Sequence, residues 1–296
     1  MPSAKPSKKI AFQGAPGAYS HRACCQARPH HEPLACRSFE EAIERVRAGA
    51  AELAMLPVEN TTYGRVADIH RLLPDSGLHI VDEAFVRVHI SLLGVPGARL
   101  ETIRQAFSHP VLQPQCAGFL RRHGICGRVS ADNARAARDV AAWGDIHRAA
   151  LADELAAEIY GLAVLARHIE DNDTNTTRFL IMSRQGDLAR RDRGCGMITS
   201  FLFQVRNIPA ALYKAMGGFA TNDVNMTKLE SYMVDGSFTA TRFYAEVEGH
   251  PEDAGLQRAL EELAYFTDRL TLMGVYPAAA QRHAPQGKTQ TQGPAP

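Results

Sequence analysis

No apolar run in this chain approaches the roughly 18 residues that a membrane-spanning helix needs, so no membrane span is expected. An excess of one charge is missing too. With 33 basic and 32 acidic residues the formal net charge is +1, which gives no electrostatic case for nucleic acid or a membrane surface. The six cysteines, Cys24, Cys25, Cys36, Cys116, Cys126 and Cys195, form no Cys-x-x-Cys pair and no disulfide framework. His21, Cys24, Cys25, His30, His31 and Cys36 crowd one stretch, but their spacing fits no closed tetrahedral zinc pattern. Reduced, mostly buried thiols are expected, and no metal. The start, residues 1–9, is short and basic, and Ile10-Ala-Phe12 is too brief for a signal-peptide core, so a cytoplasmic home is the default.

What is present is ordinary globular chemistry. The sequence is 45% hydrophobic and 22% charged, and 296 residues suit about two domains. Residues 9–13 read as a strand, followed by a glycine turn at 14–17 and a helix to about Arg28. Such a turn aims backbone N–H groups at an anion, although glycine turns also simply join strands to helices. Ser38 and Glu41 make a capping box for the next helix, and residues 52–58 a short strand that ends at Glu59-Asn60. This β-α-α-β order points to an α/β layer with parallel strands. A helix is expected over 64–73, and 78–93 reads as a crossing into a second lobe. There, strands end near Ser108 and Ser130, a helix runs from His109-Pro110 to about His123, and Asp132 caps another. Residues 149–160 are alanine-rich and read as a helix, and 162–165 as a strand. Residues 185–196 are polar and charged and read as a linker. Beyond it, strands at 197–205, 224–233, 238–247 and 270–275 alternate with helices beginning near Pro209 and Leu256. That β-α-β-β-α-β order is the ferredoxin-like pattern. After Pro277 the composition predicts a disordered tail.

Residues 171–179, Asp-Asn-Asp-Thr-Asn-Thr-Thr-Arg-Phe, precede the apolar run Phe179-Leu-Ile-Met182 and hold the chain's most functional-looking polar content. Two Asn, three Thr and one Arg donate hydrogen bonds at neutral pH, which suits an anionic substrate. The same residue types also build a plain turn that starts a strand.

Asn175-Thr-Thr-Arg-Phe179 resembles the Asn-x-Thr-Arg-Phe signature of the prephenate dehydratases. Gly14-Ala-Pro-Gly-Ala-Tyr-Ser20 is similar to that family's glycine loop, Pro57-Val-Glu-Asn-Thr-Thr-Tyr-Gly64 to its Pro-x-Glu-Asn-Ser-x-x-Gly motif, and Ser108-His-Pro-Val-Leu-Gln-Pro-Gln-Cys116 to its Ser-His-Pro pattern. The four motifs fall in the family's order, and residues 208–231 resemble the ACT module that follows them. The resemblance implies a two-lobed α/β catalytic domain, like a type II periplasmic-binding protein, over residues 8–184. Its lobes would be 8–90 with 163–184, and 91–162. A ferredoxin-like ACT α+β domain over 197–277 would follow the linker. It also implies conversion of prephenate to phenylpyruvate without a cofactor.

By the same resemblance Thr177 is the catalytic residue. Glu59 is the only carboxylate in the matched motifs, either an acid with a raised pKa or an anchor for neighbouring amides. Asn60, Thr61, Gln115 and Asn175, with Gly17 and Ser20 of the glycine loop, are candidate substrate contacts, though each of the polar side chains could equally hold loops together. Arg178 has the chemistry to clamp a substrate carboxylate, but in an extended strand it and Thr177 point to opposite faces. Phe179 stands beside them in the signature, with packing as its simplest role. His109 is either an acid–base group or a helix cap. Thr61 stands where the family usually has Ser, Ala18 where many members have Thr, and Asn133 where Thr is common. Plant arogenate dehydratases are also similar, so arogenate is an alternative substrate, and a non-catalytic amino-acid or keto-acid sensor is an alternative role.

The family's ACT module binds phenylalanine. The corresponding residues here are Ala210, Ala211 and Leu212, then Asn225, Glu230 and Ser231. Ala210 replaces a glycine, and Tyr232 and Met233 replace Arg and Pro, so an altered phenylalanine affinity is expected. A homodimer or homotetramer is the assembly that the resemblance implies.

Overall fold

The computed structural model describes residues 8–192, 195–206, 208–233 and 240–282. Three sheets organise them. The first contains β1 (Lys9–Gln13), β2 (Glu32–Cys36), β3 (Leu53–Asn60), β4 (Gly64–Arg65), β5 (His79–Arg87) and β11 (Thr176–Ser183). Its order is β2-β1-β3-β11-β5, with β4 beside β3. Helices α1 (Tyr19–Ala27), α2 (Phe39–Arg47) and α3 (Ala67–Leu72) connect the early strands.

The second sheet runs β10-β6-β9-β7-β8. Its strands are β6 (Ser91–Gly94), β7 (Gln105–Ser108), β8 (Cys126–Val129), β9 (Arg148–Ala152) and β10 (Ala163–Ala166), packed with α4 (Ala117–Arg122), α5 (Asn133–Trp143) and α6 (Glu154–Tyr160). The chain crosses between these lobes twice, after β5 and again before β11. This two-lobed α/β arrangement is the expected one. The third sheet, β13-β14-β12-β15, is antiparallel throughout. It comprises β12 (Met197–Val205), β13 (Met226–Met233), β14 (Ala240–Glu248) and β15 (Thr267–Pro277), with α7 (Ala211–Thr221) and α8 (Ala254–Phe266). The order is ferredoxin-like. No helix among the described residues is long and apolar enough to cross a membrane.

Several local expectations are corrected. Glu32–Cys36 is a strand, so the chain opens β-α-β-α-β; Pro33 conceals it, and is tolerated because β2 is an edge. β1 pairs parallel with β2 and β3, but β11 runs antiparallel to both neighbours, so the layer is mixed. The helix expected over 64–73 begins only at Ala67, because Gly64-Arg65 pair with β3. The one expected from His109 shrinks to α4 and the short 3-10 turn before it. The alanine-rich 149–160 stretch splits into β9 and α6. β9 sits inside its sheet and packs against the alanine-rich α5, where small side chains let helix and sheet approach; packing overrides helix propensity. β10 joins the second sheet, so residues 163–166 lie with the second lobe and not the first. Pro209 precedes α7 instead of lying in it. Part of the strand expected at 238–247 lies outside the described residues, as do residues 283–296 of the expected disordered tail. Residues 280–282 of that tail form a 3-10 turn.

The capping box at α2 is half as expected. Ser38 Oγ accepts from Glu41 N at 3.2 Å, while the Glu41 carboxylate reaches back to Arg37 N at 2.8 Å.

The outer face of the third sheet packs on the first lobe. Leu180, Met182 and Ile80 share one buried cluster with Ile198, Leu202, Tyr244, Met273 and Tyr276. Each large apolar side chain so buried contributes about 1.5–3 kcal/mol. The approach is close at Gly274, where a Cβ would overlap the Ile80 carbonyl.

Candidate active site

β3 and β11 pair antiparallel with Thr177 opposite Asn60 and Arg178 opposite Glu59. Because successive side chains leave a strand on opposite faces, this one register builds two sites back to back.

Thr177 and Asn60 lie where the two lobes meet. Asn60 Nδ2 donates to Thr177 Oγ1 at 3.0 Å and to Asn175 Oδ1 at 2.7 Å. Asn60 itself is fixed by an Asx turn, its Oδ1 accepting from Thr62 N at 2.9 Å and Tyr63 N at 3.0 Å. The buried Asn175 passes the chain on, donating to Gln115 Oε1 at 2.5 Å. Gln115, from the second lobe, donates to Tyr63 Oη at 3.1 Å and to the Val111 carbonyl at 2.9 Å. Thr177, Asn60, Asn175 and Gln115 are thus brought together. Thr177 Oγ1 accepts from Asn60, and among the described residues its hydroxyl hydrogen has no acceptor.

Other expected contacts have structural duties instead. Thr61 Oγ1 donates to the Thr174 carbonyl at 2.8 Å and accepts from Thr176 N at 2.9 Å, which pins the loop before β11. Phe179 is a core residue at 1% exposure, packed with Ile10, Phe12 and Met55. Gly17 is buried, and a Cβ there would lie 2.9 Å from Ala156 of the second lobe. Its N–H donates to His21 Nδ1 at 3.0 Å, so it is not offered to an anion. Burial, then Arg22, lowers the pKa of His21, which suits a neutral accepting ring. The glycine loop is tied to the second lobe: Arg22 pairs with Asp153 at 2.6 Å, and Tyr160 donates to the Pro16 carbonyl at 2.8 Å. Ser20 is half-buried in the first turn of α1. His109 is held by its neighbours: its N–H donates to Asn133 Oδ1 at 2.9 Å and its Nδ1 accepts from Val111 N at 3.3 Å.

The opposite face overturns the substrate-clamp role for Arg178. Its guanidinium is almost fully buried and saturated by carboxylates: Nε to Glu83 at 2.8 Å, Nη1 to Glu59 at 2.9 Å and Nη2 to Glu246 at 2.9 Å. Tyr276 Oη completes the set at 3.3 Å. Glu246 and Tyr276 come from the third sheet, so Arg178 joins the domains. Glu59 also accepts from Lys228 of β13. Burial pushes the Glu59 pKa up, but Lys228 and Arg178 outweigh it and leave the carboxyl below its ordinary range. Arg178 and Lys228 thus hold Glu59 in the position of an anchor. A cavity of about 260 Å³ opens beside this cluster, lined by Asn60, Arg65, Phe85, Thr176 and Glu230 among others.

Sequence reasoning passed over Tyr63, although it lies in a quoted motif, and Glu83, Lys228, Glu246, Tyr276 and Arg282. On β13, alternate residues 226, 228, 230 and 232 are half-buried and their neighbours exposed, a pattern that Met-Thr-Lys-Leu-Glu-Ser-Tyr-Met does not show as hydrophobic alternation.

In the third domain, Ala210 caps α7 with φ 62°, a left-handed conformation that explains why glycine suits this position. Ala211 is buried, and Asn225 and Ser231 are exposed. Glu230 is not free. It pairs with Arg65 of the first lobe and with Lys228, each at 3.1 Å. Tyr232, which replaces the family's Arg, puts its hydroxyl 3.2 Å from Nδ1 of the buried His70.

The residues of the crowded Cys/His stretch do not converge. Among the described residues, His89, His168 and Glu170 alone bring three possible metal donors within 4.8 Å, and His168 is exposed.

Comparison with known proteins gives the geometry its context. The family described as prephenate dehydratase matches residues 10–187. A bifunctional N-acyl-homoserine lactone acylase/prephenate dehydratase of Komagataeibacter europaeus is 51% identical, over 93% of this chain and 98% of its own. A chloroplastic arogenate dehydratase/prephenate dehydratase of Arabidopsis thaliana is 38% identical, over 91% of this chain and 72% of its own. Among solved structures, a prephenate dehydratase of Arthrobacter aurescens in complex with L-Phe superposes with a TM-score of 0.81 at 28% identity, over 92% of both chains. Since the family match spans more than half of the sequence, and a relative with half its residues identical runs nearly end to end with it, the chain belongs to the prephenate dehydratase family.

Proposed function

We propose that this protein converts prephenate to phenylpyruvate, carbon dioxide and hydroxide, the last step being assisted at Thr177. Aromatisation of the ring drives the reaction, and the barrier lies in expelling the ring hydroxyl as the carboxylate leaves. The observation that carries the reading is the Thr177 hydroxyl. Asn60 fixes its oxygen as an acceptor, which leaves its hydrogen to donate to the departing oxygen. A neutral hydroxyl is a poor acid, so the help is a directed hydrogen bond that strengthens as charge grows. Asn175 and Gln115 hold Asn60 and add amides to the same wall. No step calls for a cofactor. Mixing the protein with prephenate and following phenylpyruvate tests this; turnover of arogenate to phenylalanine instead would change the substrate assignment, and inertness to both would end the dehydratase reading.

Regulation by phenylalanine is part of the proposal. The start of α7 at Ala210, Ala211 and Leu212 is the expected carboxylate site, although the Ala211 N–H donates to the Ile208 carbonyl at 3.2 Å and would have to be released; Asn225, Glu230 and Ser231 are the remaining expected contacts. Support comes from the L-Phe complex of the Arthrobacter relative. Because Glu230 is already paired, phenylalanine has to compete with Arg65 and Lys228 for it, in keeping with an altered affinity. A homodimer or homotetramer is proposed from the open edge of β13, where Leu229 and Met233 are 42% and 64% exposed. Light scattering after size exclusion reads the assembly directly. The default compartment is the cytoplasm.

A second activity is favoured by one observation, the 51% identity to a relative named for two functions. Incubation with an N-acyl-homoserine lactone, with detection of the freed amine, decides whether this chain shares the acylase function.

A further inference from the structure

Arg282 lies past the last strand of the third domain, in a segment whose composition reads as tail. Its guanidinium is nevertheless only 11% exposed. Nε and Nη2 grip Glu83 at 2.6 and 2.8 Å, and Nη2 also reaches Glu246 at 2.8 Å. The Ala279 N–H adds a bond to Glu83 at 2.9 Å. Glu83 and Glu246 are the same buried carboxylates that hold Arg178. With Glu59 they make three acids, and Arg178, Arg282 and Lys228 supply three cations. Removing one cation leaves a buried acid uncompensated, which such sites do not tolerate. Arg178 then shifts toward the Glu83 and Glu246 carboxylates that Arg282 has released, and its strand neighbour Thr177 moves with it.

Taking the dehydratase reading as given, we infer that Arg282 is a positioning residue: residues 278–282 act as a latch that fixes Glu83 and Glu246 around Arg178 and so holds Thr177 and Asn60 in register at the cleft. The same contacts carry the state of the third domain to the reacting hydroxyl, since Glu246 sits on β14 and Lys228 on β13. The latch consists of one charge-assisted fork on Glu83 and a single bond to Glu246, and has the geometric specificity of arginine on carboxylates.

The test uses the full chain with Arg282→Ala and Arg282→Lys. The Ala variant should lose about tenfold in kcat with KM for prephenate within about twofold, because orientation at the cleft is what changes. It should also respond less to phenylalanine. The Lys variant keeps a cation without the fork and should lie between, about threefold below wild type. Amide exchange supplies a readout that needs no turnover. Exchange should accelerate in residues 171–184 and 79–87 of the Ala variant and stay unchanged in residues 105–108 of the second lobe. Faster exchange everywhere means general destabilisation and overturns the latch, as does wild-type kcat and exchange. If the Ala variant does not fold, the Lys variant decides by the same two readouts. A wild-type protein inert to prephenate, whose Ala variant still shows the localised acceleration, refutes the dehydratase reading and leaves the latch standing.

Discussion

Thr177 and Glu59 are two residues of one strand pair with opposite fates. Thr177→Val removes the donor while keeping the shape, and kcat should fall by on the order of 10² or more with little change in melting temperature. Thr177→Ser should retain much of it; steady-state kinetics beside thermal unfolding check both. Glu59 tests the competing assignment. An acid there would have to be protonated, yet Lys228 and Arg178 keep it ionised. Glu59→Gln should therefore cost no more than about tenfold in kcat, through a loosened Arg178, and should not abolish turnover. A dead Gln variant beside an active Val variant would move the acid back to Glu59. The sequence made Thr177 and Asn60 legible because both sit in motifs that resemble the family's; their chemistry alone fits a plain turn as well. It misassigned Arg178, because an arginine fit to clamp a substrate carboxylate is equally fit to clamp three of its own, and which carboxylates fold against it is a tertiary fact.

At β11 the alternation of a single strand sets what each neighbour does, and the opposite-facing side chains of Thr177 and Arg178 were foreseeable from strand geometry alone. What the far face meets was not, since β14 and β15 arrive from about 70 to 100 residues downstream. Elsewhere, elements with their own local signal were readable: β1, α2 with Ser38, α5 with Asp132, and the βαββαβ order. Elements fixed by packing were not, as β9 and β2 show. The start of α7 carries a local cost of the same origin. Ala210 holds φ 62°, where a Cβ is unfavourable. Ala210→Gly should stabilise the third domain by about 1 kcal/mol, seen as a higher urea midpoint. An unchanged or lower midpoint would mean that the glycine's added freedom in the unfolded chain cancels the relief.

The two-domain division read from the polar 185–196 stretch suggests that the catalytic part could stand alone after about Arg184. The shared cluster of Leu180, Met182, Ile198, Tyr244 and Tyr276 argues otherwise, and truncation would also strip Arg178 of Glu246 and Tyr276. A 1–190 fragment should be insoluble or inactive, and a soluble fragment with full kcat would show the third domain to be dispensable. The interface also ties stability to pH. Burial, with Lys228, depresses the pKa of His70, which sits between Val58 and Tyr232. Below its ordinary 6.5 the unfolded chain takes up a proton that the folded one refuses, so stability declines from that pH downward. For Glu59, Glu230 and Glu246 burial raises the pKa, but their cation partners outweigh it and the folded values lie below the ordinary 4.5. Their contribution is complete above 4.5 and is lost as pH falls through those folded values. Urea midpoints taken from about pH 8 down to about pH 4 should therefore be level above 6.5, decline below it, and decline again under 4.5. His70→Gln, which has no proton to gain, should lower the plateau by loss of the ring's packing and shrink the upper decline to the share of His21 and His31, whose pKa burial also lowers. An upper decline of undiminished size in that variant would place the titrating groups elsewhere than at the joint between α3 and β13.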